Sequence, residues 1–233
     1  MGSYKSGVFY VIPPDTLFFI TITVIDWIDV FTREDYKRII IESLDYCRCN
    51  KGLNLHAYVL MTNHIHLMVS HPDGKDAIAR IIGDFKKYTS KRVVDEIIAN
   101  PIESRKRWLL HHFDEEVIIA NDDATCSISK INHGLRGNTG QQTHFTVPDT
   151  KNNNRKSRHL WQRGYDAYCI TNIKHLRQKL DYLHDNPVRA GIVAKPWHYI
   201  YSSCTNYCDK PSLIEIDFLD LGIDSPSSRG TSY

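Results

Sequence analysis

The chain predicts an α+β fold, a ferredoxin-like antiparallel sheet with helices packed on one face. Apolar positions follow strand and helix periods in the order strand, helix, strand, strand, helix, strand, helix. Two of the strand-like runs are separated by only a short polar turn, which makes them a hairpin. With 233 residues, 42% of them hydrophobic, the chain supports one well-buried core.

Residues 17–25, LFFITITVI, are dense in aromatic and β-branched side chains and predict a buried strand. Thr32-x-x-Asp35 has the form of a capping box, and Tyr36, Ile39, Ile40, Leu44 and Cys47 follow at helical spacing. Asn50, Lys51 and Gly52 end that helix. LNLHAYVLM (53–61) and HIHLMVS (64–70) are strand-like and meet at a turn near Thr62 and Asn63. From Asp76 to Ile98, residues Ile78, Ile81, Ile82, Phe85, Val94 and Ile97 share one side of a long amphipathic helix whose other side carries Arg80, Lys87 and Lys91.

Between about 114 and 158 apolar density falls and Asn, Asp, Thr, Gly and Lys dominate, the composition of a long polar insertion. LWQRGYDAYCI (160–170) ends as a strand. Thr171 then caps a helix running to Asp185, with Pro187 as its stop and Ile173, Leu176, Leu180 and Leu183 as its apolar stripe. Tyr182 and Asn186 lie well off that stripe, one turn apart. The organisation is thus a single domain over 1–223 containing the insertion, followed by a flexible tail over 224–233.

The net charge of +2 conceals local bias: Lys86, Lys87, Lys91 and Arg92 cluster, and a second basic stretch spans 151–163. The six cysteines match neither a zinc ribbon nor a compact disulfide framework and read as reduced thiols. No apolar signal core follows a basic start, and no apolar run is long enough to span a membrane, so a soluble, cytoplasmic protein is expected.

The chemistry centres on MTNHIHLMVS (61–70). In a strand, His64 and His66 share one face while Ile65 and Leu67 pack on the other. Two imidazoles on rigid backbone can hold one divalent ion, and a third donor such as the Asn186 amide would leave positions for phosphate oxygens. A tyrosine phenol is a competent nucleophile toward a phosphodiester whose charge is neutralised, and Tyr182 lies one turn before Asn186.

VLMTNHIHLMVS, GDFKKYTSKRV, LWQRGYDAY and LDYLHDNPVRAGIV, occurring in that order, together resemble the REP-associated tyrosine transposases of the single-tyrosine HUH transposase superfamily (IS200-like). The resemblance covers roughly 15–114 and 158–207. It implies the single-tyrosine HUH transposase fold and an enzyme that nicks single-stranded DNA near a hairpin with Mg²⁺ or Mn²⁺, leaving a 5′-phosphotyrosine and a free 3′-OH. By the same resemblance His64 and His66 are the metal-binding pair, Asn186 assists the metal and Tyr182 is the nucleophile. Arg80, Lys86, Lys87, Lys91, Arg92 and Arg163 are expected to contact DNA, and the protein is expected to act as a homodimer. Thr62 stands where the family usually has proline, which alters turn rigidity and removes no catalytic group; the polar stretch from 114 to 158 is longer than the family's.

Residue by residue, ordinary readings stand beside these. A His-x-His pair serves equally as half-buried strand residues bonded to neighbours, Tyr182 as a packing tyrosine, and the lysines as a solvated helix face. Tyr88 and Trp161 are either base-stacking rings or residues at the edge of the core, and Cys126, His133 and His144 form an irregular set for a zinc site within the insertion. Two other functions fit much of the same pattern: a domesticated, non-cleaving hairpin-DNA-binding protein, and a metallohydrolase of small phosphoesters that needs neither the tyrosine nor the basic helix.

Overall fold

The most apolar strand of the sequence becomes an inner strand of the sheet. In the computed structural model, which describes residues 17–113 and 158–219, β1 (Leu17–Thr23) pairs with β3 (His64–Ser70) on one side and β4 (Asp166–Cys169) on the other. β2 (Asn54–Leu60) completes the hairpin with β3, giving the antiparallel order β2-β3-β1-β4. That order is the ferredoxin-like arrangement. The tail at 224–233, the insertion as far as residue 157 and Cys126, His133 and His144 lie outside the described residues.

Between β1 and β2 runs α1 (Glu34–Lys51), and between β3 and β4 run α2 (Lys75–Ala99) and α3 (Lys106–Phe113). Ile20, Ile22, Ile65 and Leu67, on the sheet face these helices cover, are fully buried. Together with Ile40, Leu44, Phe85 and Val94 they form the apolar core. Trp161 closes its edge against Phe31 and Phe85, 4% exposed, with its indole N–H donated to the Thr89 hydroxyl at 2.8 Å. It is a core residue, and its ring is not available for stacking on bases. Beyond the βαββαβ unit, α4 (Ile173–Arg189) lies across the opposite sheet face, and α5 (Cys204–Tyr207) follows near the β2 edge.

Helix ends differ from their sequence expectation in three places. Helix α1 begins after Arg33 with no side-chain cap; Thr32 is instead turned to Arg105, whose guanidinium donates to its hydroxyl at 3.1 Å. At α4 the cap is Asn172, not Thr171, because the Asn172 carboxamide oxygen reaches the His175 N–H at 2.9 Å. Pro187 does not stop α4, which continues to Arg189 with proline in its final turns. Helix α3 has no sequence signal, since eight residues are too few to show a period.

The outer edge of β2 is occupied by the chain's own later segments. Leu60 N–H donates to Tyr201 O at 2.9 Å, Ser203 N–H to Tyr58 O at 2.9 Å, and Leu55 and Asp217 exchange bonds of 2.8 and 2.9 Å. Buried His56 sits in this seam, bonded through Nδ1 to Asp217 O at 2.6 Å and through Nε2 to Ser70 Oγ at 2.8 Å. The five described cysteines form no disulfide with one another, and no described helix is long and apolar enough to cross a membrane.

Burial holds the His56 imidazole below its ordinary value against the weaker pull of Asp217. The unfolded chain therefore takes up a proton near about pH 6.5 that the folded chain refuses, so stability present above that pH declines as pH falls below it. Urea unfolding midpoints are expected to drop between about pH 7.5 and about pH 5.5, and His56→Gln is expected to make that drop shallower.

Candidate active site

The β1–β3 register sets Thr21 opposite His66 and Thr23 opposite His64, so both imidazoles rise from the sheet face that α4 crosses. Their ring centroids are 4.7 Å apart. His64 is half-buried and His66 is 5% exposed. Each ring is held through Nδ1: His64 by the Asn63 carboxamide oxygen at 2.7 Å, His66 by the Thr21 hydroxyl at 2.8 Å. Asn63 cannot flip without loss, because its amide nitrogen donates to Trp27 O at 3.2 Å.

With Asn63 Oδ1 as the acceptor, His64 carries its proton on Nδ1 and keeps the Nε2 lone pair free. His66 Nε2 is buried and has no hydrogen-bond partner. Both rings are held neutral. Burial lowers the His64 value against the attraction of Asp29, and burial first, then His64 and Lys179, pushes His66 down to about 3. A buried ring nitrogen without a partner beside a second free lone pair is what a divalent-cation site requires. Among the described residues no cluster of three His, Cys, Asp or Glu forms, so further donors would come from neutral oxygens such as an amide, from water or from substrate.

Helix α4 supplies the rest. Tyr182 is 38% exposed, its ring 5.5 Å from His66 and 6.1 Å from Phe19. It therefore lies against the sheet while staying off the buried stripe of Leu176, Leu180 and Leu183. Two cations flank the ring: the Arg189 guanidinium at 5.5 Å and the Lys179 ammonium at 6.0 Å from its centroid. Asn186 is half-buried one turn beyond Tyr182 on the same helix. Tyr168, His175, Gln178, Lys179 and Tyr182 line a cleft of about 290 Å³ beside the imidazoles.

Lys86, Lys87, Lys91 and Arg92, expected to contact DNA, lie away from the imidazoles. Lys87, Lys91 and Arg92 line a groove of about 570 Å³ between α1 and α2, on the far side of the sheet from His64 and His66. Lys91 pairs there with Asp95 at 2.7 Å. Lys86 points the other way and donates to Gln162 O at 2.9 Å and Gly164 O at 2.7 Å, fastening the segment that leads into β4. Arg80 and Arg163 are exposed, and Tyr88, 56% exposed, lines the same groove as Lys87. Thr21, Asn63, Lys179 and Arg189 carry no sequence signal as site residues; Thr21 needed the strand register and the two cations needed the helix placement.

Residues 20–114 match the family model described as "Transposase IS200 like". The match spans less than half of the chain and is a similarity over that segment. The matched segment contains His64 and His66 but ends before Tyr182. A solved structure, described as the REP-associated tyrosine transposase bound to a REP hairpin, aligns with 98% of this chain and 100% of its own at 14% identity and a TM-score of 0.47. No curated protein matches the sequence.

Because Lys86 ties down the segment that leads into β4, Lys86→Ala should cost about 1–3 kcal/mol of stability by leaving two part-buried carbonyls unpaired. Lys87→Ala, on the exposed side, should stay within about 0.5 kcal/mol of wild type. Paired urea titrations of the two variants check this.

Proposed function

We propose that this protein is a metal-dependent, single-tyrosine DNA strand transferase acting on single-stranded hairpin DNA. The observation that carries the reading is the Tyr182 ring set 5.5 Å from His66, beside two neutral imidazoles, His64 with its Nε2 lone pair left free by Asn63 and His66 with a buried Nε2 that has no hydrogen-bond partner. His64 and His66 would hold a Mg²⁺ or Mn²⁺ ion, with the Asn186 amide as the third protein donor. Bound there, the ion would supply Lewis-acid neutralisation of the phosphate charge.

The chain's own residues do the rest. The Tyr182 hydroxyl attacks the scissile phosphorus and forms the phosphotyrosyl bond as the bond from phosphorus to the 3′ oxygen breaks. The phenolic proton passes to water, and the departing 3′ oxygen takes up a proton to become a free 3′-OH. Lys179 and Arg189, on either side of the ring, offset phosphate charge as Tyr182 approaches. Asn63 holds His64 in the tautomer that presents Nε2, and Thr21 fixes the orientation of the His66 ring, as groups behind metal-ligating histidines do.

The test is incubation with labelled single-stranded hairpin DNAs and Mn²⁺ or Mg²⁺, resolved on a denaturing gel. A covalent, metal-dependent adduct is expected for wild type and none for Tyr182→Phe. An adduct that survives in Tyr182→Phe removes the nucleophile assigned here, and binding without any adduct across the panel points to the non-cleaving hairpin binder. Separately, Asn63→Ala and Thr21→Val should each weaken Mn²⁺ affinity by about 10–100-fold in calorimetry, with the fold intact.

A further inference from the structure

The rings around the site do not end at the imidazoles. Trp27 lies 6.1 Å from His64, His64 4.7 Å from His66, and His66 5.2 Å from Phe19 and 5.5 Å from Tyr182. Past Phe19 the row continues through Lys179, whose ammonium stands 4.8 Å from the Phe19 centroid and 5.1 Å from that of Tyr168. Of the interior rings His66 and Phe19 are buried, His64 is half-buried and Tyr182 is open to solvent, as are the two terminal ones: Trp27 is 59% exposed and Tyr168 36% exposed.

Both terminal residues are tethered despite that exposure, Trp27 through its backbone and Tyr168 through its hydroxyl. Asp26 and Trp27 have φ of 52° and 56°, a left-handed conformation that residues with a Cβ adopt at a cost and that persists only where neighbours enforce it. Here the enforcement is Trp27 N–H to Val24 O at 3.1 Å and the Asn63 amide to Trp27 O at 3.2 Å. The carboxamide that orients His64 therefore also fixes Trp27. At the other end the Tyr168 hydroxyl bonds His175 Nδ1 at 2.9 Å, and Tyr168 walls the cleft of about 290 Å³ with Gln178 and Lys179. Exposed rings that are immobilised lose little freedom when a flat partner settles on them.

We infer that Trp27 and Tyr168 are the two ends of a track that carries an unpaired DNA strand across the sheet face, one base stacked on each ring on either side of the phosphate at Tyr182. Lys179 and Arg189 lie along that path as phosphate partners. Stacking of this kind is tolerant of sequence, so the track orders the strand while other contacts choose the site. The rival surface is the groove between α1 and α2, with Tyr46 and Tyr88. Two of its four cations are spent within the protein, Lys51 on Asp84 at 2.6 Å and Lys91 on Asp95 at 2.7 Å, and Glu42 adds an opposing charge.

The inference rests on the DNA reading above but is tested without cleavage. Full-length protein is irradiated with single-stranded oligonucleotides containing 5-iododeoxyuridine, and the crosslinked peptides are mapped by mass spectrometry; adduct formation is scored in parallel on hairpin DNA. Crosslinks at Trp27 and Tyr168 are expected. Trp27→Ala and Tyr168→Leu, whose exposed positions leave the core intact, should each lose about five- to hundredfold in affinity for the oligonucleotide, the worth of one stacked base, with the salt slope unchanged. Crosslinks confined to Tyr46 or Tyr88, unchanged affinity in both variants, or no crosslink at all would overturn the track. If wild type still forms the covalent adduct in that case, the track alone has failed; loss of both adduct and binding would mean that the DNA reading itself is wrong.

Discussion

Because β3 is bonded along its length to β1 on one side and to β2 on the other, its pleat cannot slip without turning every side chain to the wrong face. Ile65 and Leu67 are committed to the core, so His64 and His66 are committed to the opposite face. The chemistry of the site depends on that constraint. The same register delivers Thr21 to His66, and the turn at the head of β3 delivers Asn63 to His64. The imidazoles are thus oriented by the sheet itself, and their neutrality follows from the burial that the sheet and α4 impose.

The two faces of the sheet divide the work. One face packs α1 and α2 and forms the core; the other is crossed only partly by α4, which leaves a strip where Trp27, His64, Tyr182 and Tyr168 lie in sequence across the surface. Such a division explains why one side of a small sheet can be well packed while the other keeps a buried nitrogen without a partner. An orphaned His66 Nε2 is costly in a finished core and reasonable in a site that awaits a ligand. The strained pair Asp26–Trp27 belongs to the same strip, and its hydrogen bond to Asn63 ties backbone strain to imidazole orientation.

Charge is distributed by the same logic. Lys179 and Arg189 come from α4 and stand on either side of Tyr182, so the cations beside the site derive from the helix that carries the proposed nucleophile. The basic run on α2 is on the far side of the sheet, where Lys91 is paired and Lys86 is a structural tie. Proximity in sequence to the hairpin suggested a basic surface next to the imidazoles, but a helix that packs beneath a sheet directs its free face away from the strands' opposite side.

What the sequence by itself determined was periodic and local. Alternation in LFFITITVI and HIHLMVS gave the strands and put His64 with His66; the helical stripe of Ile78, Ile81, Ile82 and Phe85 gave α2; and the spacing of Tyr182 and Asn186 gave one turn of α4. Helix caps were less legible, because Thr32 and Asn172 compete for partners that lie elsewhere in the chain or one residue away. Only the tertiary structure decided that α4 crosses the histidine face, that Thr21 and Asn63 hold the rings, and that Lys86 spends its charge on backbone carbonyls. The physical reason is range: a pleat or a helical turn is set by neighbours within a few residues, whereas the pairing of β1 with β3 and the docking of α4 are set by burial between segments that the sequence leaves far apart.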